Sequence, residues 1–146
     1  PKNNDLLNRI ESSNSVSIHF RRGDYLVHEN HNVMNDDYYY KAIDYIKRHV
    51  SNPLFYVFSD DIEYIRATYN ILGDAVFIDH NKGEEAYWDI FLMSKCKHNI
   101  IANSGFSYWG AWLNSHSNAN VIAPSTWMQS DNKIVENLLL PNWYII

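Results

Sequence analysis

Cysteine is nearly absent: Cys96 is the one thiol in 146 residues, so an internal disulfide is excluded and stability must come from a packed core. Cys96 falls within an apolar helical pattern and reads as a small core hydrophobe; a reducing setting is expected. Glycine and proline are sparse, five and four residues, and there is no internal repeat or low-complexity segment. No apolar run approaches the roughly 18 residues of a membrane-spanning helix, and no signal peptide is recognisable. With no initiator methionine before Pro1, the expectation is a piece cut from a longer protein. Basic residues are the minority, 12 against 17 acidic ones, for a net charge of -5. Apart from the adjacent Arg21 and Arg22 they are scattered, which argues against a nucleic-acid-binding face. Any anionic ligand must therefore be small.

What the chain does have is apolar and aromatic content, 46% and 15%, enough for one globular domain with its own core. Residues 16–20 read as a strand. Residues 36–50 carry apolar side chains at 39, 42, 43, 46 and 50, the stripe of an amphipathic helix, with Asn35 or Asp36 as its cap. Residues 54–58 (LFYVF) form a continuous apolar run ending in Ser59, Asp60 and Asp61, where Ser or Asp can cap a helix over 62–72. A strand at 75–78, a helix over 84–96, a strand at 99–102, a helix over 106–113 and a strand at 121–123 follow. Residues 1–14 read as a polar helix or connector, and 125–146 as a mixed tail with one more helix at 134–140. This alternation predicts an α/β fold, a parallel sheet with helices on both faces.

The segment SIHFRRGDY, residues 17–25, carries the strongest chemical signal. Guanidinium groups match a phosphate bidentately and stay charged at any working pH. At period two, His19 and Arg21 face one side and Phe20 the other, so His19 and Arg21 can share a ligand while Arg22 points elsewhere. Asp24 is placed to orient one guanidinium; a strand end with surface charges is the plainer alternative. The tripeptide Arg22-Gly23-Asp24 also spells an adhesion signal, a match short enough to arise by chance.

Ligands of open parallel sheets bind beyond the carboxyl ends of the strands, and residues after the other strands form a consistent set. Ser59, Asp60 and Asp61 follow the second strand, Asp79 and His80 the third, and Asn103, Ser104 and Ser107 the fourth. The turn at 103–107 enters a helix whose free backbone donors and serine hydroxyls suit a diphosphate, or simply cap the helix. Asp60 and Asp61 suit ribose hydroxyls or a metal, though two acids opening a helix also complement its dipole; the cap is the favoured reading. Asp89 would accept from a purine edge or lie on a solvated face. His28 and His31 lack further ligands at zinc spacing.

Four motifs in order, HFRRGDY at 19–25, FSDD at 58–61, EEAYWD at 84–89 and ANSGFSYWGAWL at 102–113, closely resemble those of bacterial alpha-1,2-fucosyltransferases, inverting enzymes that use GDP-fucose. The resemblance runs from about residue 16 to 127. It implies one half of an enzyme built from two facing Rossmann-like domains, a B-type glycosyltransferase. Residues 16–127 would be the GDP-fucose-binding domain, 1–15 a connector or helix from a missing N-terminal acceptor-side domain, and 128–146 a tail packing on the domain. By the same resemblance Arg21 looks like the arginine gripping the donor diphosphate, with Arg22 its structural or phosphate-side neighbour. His19 is similar to the histidine meeting the guanine region, Asp60 to the acid near the ribose, with Asp61 beside it. Asp89 is similar to the carboxylate accepting from guanine N1 and N2, and Ser104 and Ser107, beside Asn103, to the polar residues holding the beta-phosphate. Gly105 and Tyr108 depart from the family pattern, which often has threonine and tryptophan there.

The implied reaction is transfer of L-fucose to a galactose 2-hydroxyl of a glycan acceptor with inversion, charge on the departing phosphate being stabilised without a metal or other cofactor. The general base would be Glu29, ten residues after His19, or Asp24. The expected location is the cytoplasm, free or at the inner membrane surface. Two other readings stay open: a nucleotide-sugar binding module inactive without its acceptor domain, and a metal-dependent phosphohydrolase using Asp60 and Asp61. Trp109, Trp112 and Trp127 belong either to a partner-facing surface or to the core, which periodicity does not decide.

Overall fold

The computed structural model describes residues 2–22, 36–125 and 139–146. Its centre is the strand β1 (Ser15–Phe20), buried along its whole length. β1 pairs in parallel with β2 (Leu54–Ser59) on one side and β4 (His98–Ile100) on the other. β3 (Val76–Ile78) lies outside β2, while β5 (Val121–Ala123) and β6 (Tyr144–Ile145) extend the other edge. The order is β3-β2-β1-β4-β5-β6 and every pairing is parallel. This is the order of the doubly wound, Rossmann-like sheet, whose order reverses beside β1.

Alternation along the strands assigns helices to both faces. Val16, Ile18 and Phe20 of β1 and Phe55 and Val57 of β2 join Tyr39, Ala42, Ile43 and Ile46 of α2 (Asp36–His49) and Ile62 and Ile65 of α3 (Ile62–Thr68) in one cluster. Tyr56 and Phe58, one step out of phase, pack with Ile10 of α1 (Lys2–Glu11) and Leu92 and Met93 of α4 (Tyr87–Lys95) on the other face. The stripe expected from 39, 42, 43, 46 and 50 is buried, and α2 has acids in its first turn and bases in its last, matching its dipole. Cys96 is fully buried, as its apolar setting implied.

Differences from the sequence reading have local causes. Residues 84–86 are not part of α4: a 3-10 turn at Gly83–Glu85 precedes it, with Gly83 at φ 60°. α3 stops at Thr68 and a 3-10 turn, Asn70–Leu72, ends at Gly73 with φ 64°, a left-handed conformation that glycine adopts without steric cost. β4 starts and ends earlier than expected, though Ile101 N still donates to Ile122 O at 2.9 Å. β6 was not foreseen, because two residues carry no periodicity. Of the helix expected at 134–140, residues 134–138 lie outside the described residues, and Leu139 and Leu140 are not helical. Of the two readings of the N-terminal segment, polar helix or connector, the structure shows the helix.

The α4 side of β1 is polar yet buried. Ser15 Oγ accepts from Lys97 N at 3.0 Å, and Ser17 Oγ accepts from Asn99 Nδ2 at 2.7 Å. Asn99 also donates to Met93 O at 2.9 Å, and its Oδ1 accepts from Asn114 Nδ2 at 2.7 Å. Small, satisfied groups there let α4 and α5 (Gly105–Trp112) close over the sheet. Their contact is tight at Gly110, where an added Cβ would stand 2.7 Å from Met93 Cβ. Gly110→Ala should therefore lower stability by roughly 1–3 kcal/mol through overpacking, read as a lower urea midpoint with an unchanged slope.

Candidate functional site

A cleft of about 320 Å³ opens beyond the carboxyl ends of β1, β2 and β3, within the roughly 300–1,000 Å³ span of small-molecule sites. β1 supplies His19 and the residue just past it, Arg21; β2 supplies Phe58, Ser59 and Asp60. The segment after β3 adds Asp79, Asn81 and Lys82, α4 adds Asp89, and α5 adds Phe106.

His19 and Arg21 share this cleft because they are two residues apart on an extended chain, and Phe20 between them is 1% exposed in the opposite core. The His19 ring is buried and lies 5.7 Å from the Phe106 ring. Burial, then the neighbouring Arg21 charge, lower its pKa to about 3, so it is a neutral imidazole at working pH. Its Nδ1 has no hydrogen-bond partner among the described residues. The backbone around it is pinned: Tyr39 Oη donates to His19 O at 2.8 Å and Ser59 Oγ to Phe20 O at 2.8 Å.

Arg22 turns away from the cleft. Its guanidinium lies 3.5 Å over the Tyr64 ring, its Nε approaches Asp61 Oδ2 at 3.4 Å, and its backbone N donates to Asp60 Oδ1 at 3.1 Å. Asp61 occupies the position before α3 but makes no side-chain cap; its backbone N instead donates to Ser59 Oγ at 3.0 Å. The favoured cap reading of this acid is thus replaced by an ion pair with Arg22, while Asp60 lines the cleft.

Asp89 faces the same cleft from α4, and burial raises its carboxyl to about 6 against a lowering hydrogen bond from Asn81. Asn81 Nδ2 donates to Asp89 Oδ1 at 2.8 Å. Asn81, Lys82 and Phe106 were not singled out from the sequence as binding residues; Asn81 and Lys82 follow the short strand β3 by three and four positions, and Phe106 is an apolar residue inside the polar turn. In that turn Ser104 caps α5, its Oγ accepting from Phe106 N at 3.2 Å, and Ser107 Oγ accepts from Ala102 N at 3.1 Å. Asn103, Ser104 and Ser107 are all buried. The Ser104 and Ser107 side chains shape the turn, and Phe106 is its contribution to the cleft wall. Gly23, Asp24, Glu29, His28, His31 and Trp127 lie outside the described residues. Trp109 and Trp112 are 50% and 47% exposed, which places both on the surface.

A cation beside a neutral histidine at the end of β1, and on α4 a carboxylate paired with an amide, suit a ligand that carries both an anionic group and hydrogen-bond donors. The cleft lies beyond the carboxyl ends of the strands of a Rossmann-like sheet, where ligands of such open sheets bind. The chain belongs to glycosyl transferase family 11, whose model matches residues 2–146. It is 39% identical over 137 residues to the O-antigen biosynthesis glycosyltransferase WbnK of Escherichia coli, covering 91% of this chain and 45% of that protein. It is 40% identical over 135 residues to an alpha-1,2-colitosyltransferase of Escherichia coli, covering 87% of this chain and 46% of that one. A galactoside alpha-(1,2)-fucosyltransferase 2 of Rattus norvegicus is 33% identical over 113 residues, covering 73% of this chain and 32% of that protein. The chain thus spans less than half the length of these relatives. In fold it is similar to the alpha-1,6-fucosyltransferase NodZ crystallised with GDP, with TM-score 0.51 and 14% identity over 77% of this chain and 40% of that one. The NodZ structure from Bradyrhizobium gives TM-score 0.53 at 13% identity over the same shares.

The two perturbed groups act oppositely on stability. His19, lowered from 6.5 to about 3, contributes stability that is present above pH 6.5 and is lost as pH falls toward 3. Asp89, raised from 3.8 to about 6, contributes stability that is present below pH 3.8 and is lost as pH rises through 6. Between pH 4 and 6 the two oppose each other. Asp89→Asn should therefore make stability climb more steeply with pH across that window, measured by urea unfolding at pH 4 and pH 6.

Proposed function

We propose that this chain is the donor-binding part of a glycosyltransferase that moves L-fucose from GDP-fucose to a galactose 2-hydroxyl, inverting the anomeric centre. The observation carrying this reading is that Arg21 and Asp89 line one cleft at the carboxyl end of a Rossmann-like sheet. Arg21 would hold the diphosphate and Asp89 would accept from guanine N1 and N2. His19 would pack beside the nucleotide as a neutral ring, Asp60 would take ribose hydroxyls, and the turn at Ser104 and Ser107 would lie along the beta-phosphate.

In the reaction, the acceptor oxygen bonds to the anomeric carbon as the bond from that carbon to the beta-phosphate oxygen breaks, its electron pair leaving with GDP. Arg21 would stabilise the charge that develops there, preorganised and without a metal. The hydroxyl proton would pass to Glu29 or Asp24. The same nucleotide grip would serve a colitosyl donor, the sugar named for one relative; transfer assays with both donors separate the two. A nucleotide-sugar binding module that does not itself transfer the sugar is the second reading. The phosphohydrolase reading is weakened because Asp61 is engaged by Arg22.

Calorimetric titration with GDP in EDTA should show binding that ADP does not share and that Arg21→Ala weakens at least about tenfold, the value of a lost charge-assisted bond. Absence of binding by the folded chain would contradict the donor-site reading. Because the base is read by ionised Asp89, GDP affinity should fall as pH drops through about 6, and Asp89→Asn should bind weakly at every pH.

A further inference from the structure

Behind Asp89 lies a hydrogen-bonded chain of neutral amides that reaches a helix far away in sequence. Asn3 Nδ2, on α1, donates to Asn81 Oδ1 at 2.8 Å, and Asn81 Nδ2 donates back to Asn3 Oδ1 at 3.1 Å as well as to Asp89 Oδ1 at 2.8 Å. The two amides thus close a reciprocal pair, and the carboxylate at its end, which only accepts when ionised, fixes the direction of every bond. Flipping the Asn81 amide would set its carbonyl oxygen against Asp89 and its nitrogen against Asn3 Nδ2. At the far end His80 Nε2 lies 2.7 Å from Asn3 Oδ1, an acceptor, which selects the tautomer with the proton on Nε2.

We propose that Asn81 is a positioning residue that orients the Asp89 carboxylate toward the cleft, and that Asn3 on α1 sets Asn81 in turn. The inference rests on the nucleotide reading of the cleft. Asn81 is 6% exposed, so its amide is committed to these partners. The Asp89 carboxylate has no cationic partner and no hydrogen bond besides that from Asn81 among the described residues, leaving Oδ2 for a ligand. A purely structural position would be filled at lower cost by a neutral side chain, since a half-buried carboxylate held only by an amide is penalised by desolvation. Held ligand groups backed by locked hydrogen-bond partners are the mark of a preorganised site. α1 is itself seated on α4 through Leu6, Leu7 and Ile10 against Leu92, Met93 and Cys96, so its placement is transmitted to the cleft wall.

The test combines a ligand-free and a ligand-bound readout. The carboxyl of Asp89 is followed by carbon NMR across pH in the wild type, Asn81→Ala, Asn3→Ala and the double variant, and each is titrated with GDP. The other charged groups at this cleft, Lys82 and Asp79 after β3 and Arg21 and Asp60 from the strand ends, keep their side chains in every variant; His80, whose Nε2 meets Asn3 Oδ1, loses that partner in Asn3→Ala but keeps it in Asn81→Ala. Asn81→Ala should move the Asp89 midpoint upward from about 6 and weaken GDP binding about tenfold. Asn3→Ala, at a half-exposed site on α1 that tolerates alanine, should move both the same way by less. The double variant should be no worse than Asn81→Ala, as for two members of one chain. An unmoved midpoint in both single variants, or GDP affinity within about twofold of wild type despite a moved midpoint, would overturn the proposal. If Asn81→Ala fails to fold, Asn3→Ala carries the test alone. A wild type that binds no GDP would overturn the nucleotide reading instead, while the ligand-free midpoint still reports whether the amides hold the carboxylate.

Discussion

Every part of the site depends on β1 being buried on both faces while presenting different chemistry to each. Val16, Ile18 and Phe20 anchor one core, which fixes the register of the strand because a slip of one residue would exchange the faces. Ser15, Ser17 and His19 are thereby forced into the opposite layer, where neutral, hydrogen-bonded groups are tolerable and charges are not. Arg21 escapes that constraint only because it stands past the last ladder pair, Phe20 with Ser59. The cation at the cleft is thus a consequence of where the strand ends.

The electrostatics follow the same geometry. Desolvation keeps His19 neutral and makes Asp89 reluctant to ionise, so the cleft is not a uniform field. It has a permanent cation at the end of β1 and a titratable carboxylate on α4. The proposed nucleoside diphosphate would meet both groups at once. The Arg22 contacts with Asp60, Asp61 and Tyr64 belong to the scaffold beneath: they hold the β1 exit against the β2 exit.

Much of this is legible in the amino-acid sequence. Period-two and period-3.6 patterns in long elements, β1, β2 and α2, marked both the strands and their buried faces, because burial imposes those periods directly. The opposed directions of His19 and Phe20 followed from pleating alone. Short elements are less sharply bounded: β3 and β4 lie within one or two residues of the expected strands, β6, at two residues, is too short for periodicity, and the 3-10 turn at Gly83–Glu85 interrupts what reads as one helix. Asp61 was misread because an acid before a helix usually caps it, whereas here a guanidinium from the neighbouring strand end competes for it. Asn3 and Asn81 were invisible, since 78 residues separate them and only the packing of α1 on α4 brings them together.

The most direct test of the central claim is a crystal structure of this chain with GDP. Guanine hydrogen-bonded to Asp89 and the diphosphate against Arg21, with the neutral His19 ring between, is the predicted result. A nucleotide bound with its base at Arg21, or seated away from the carboxyl ends of β1, β2 and β3, would contradict it.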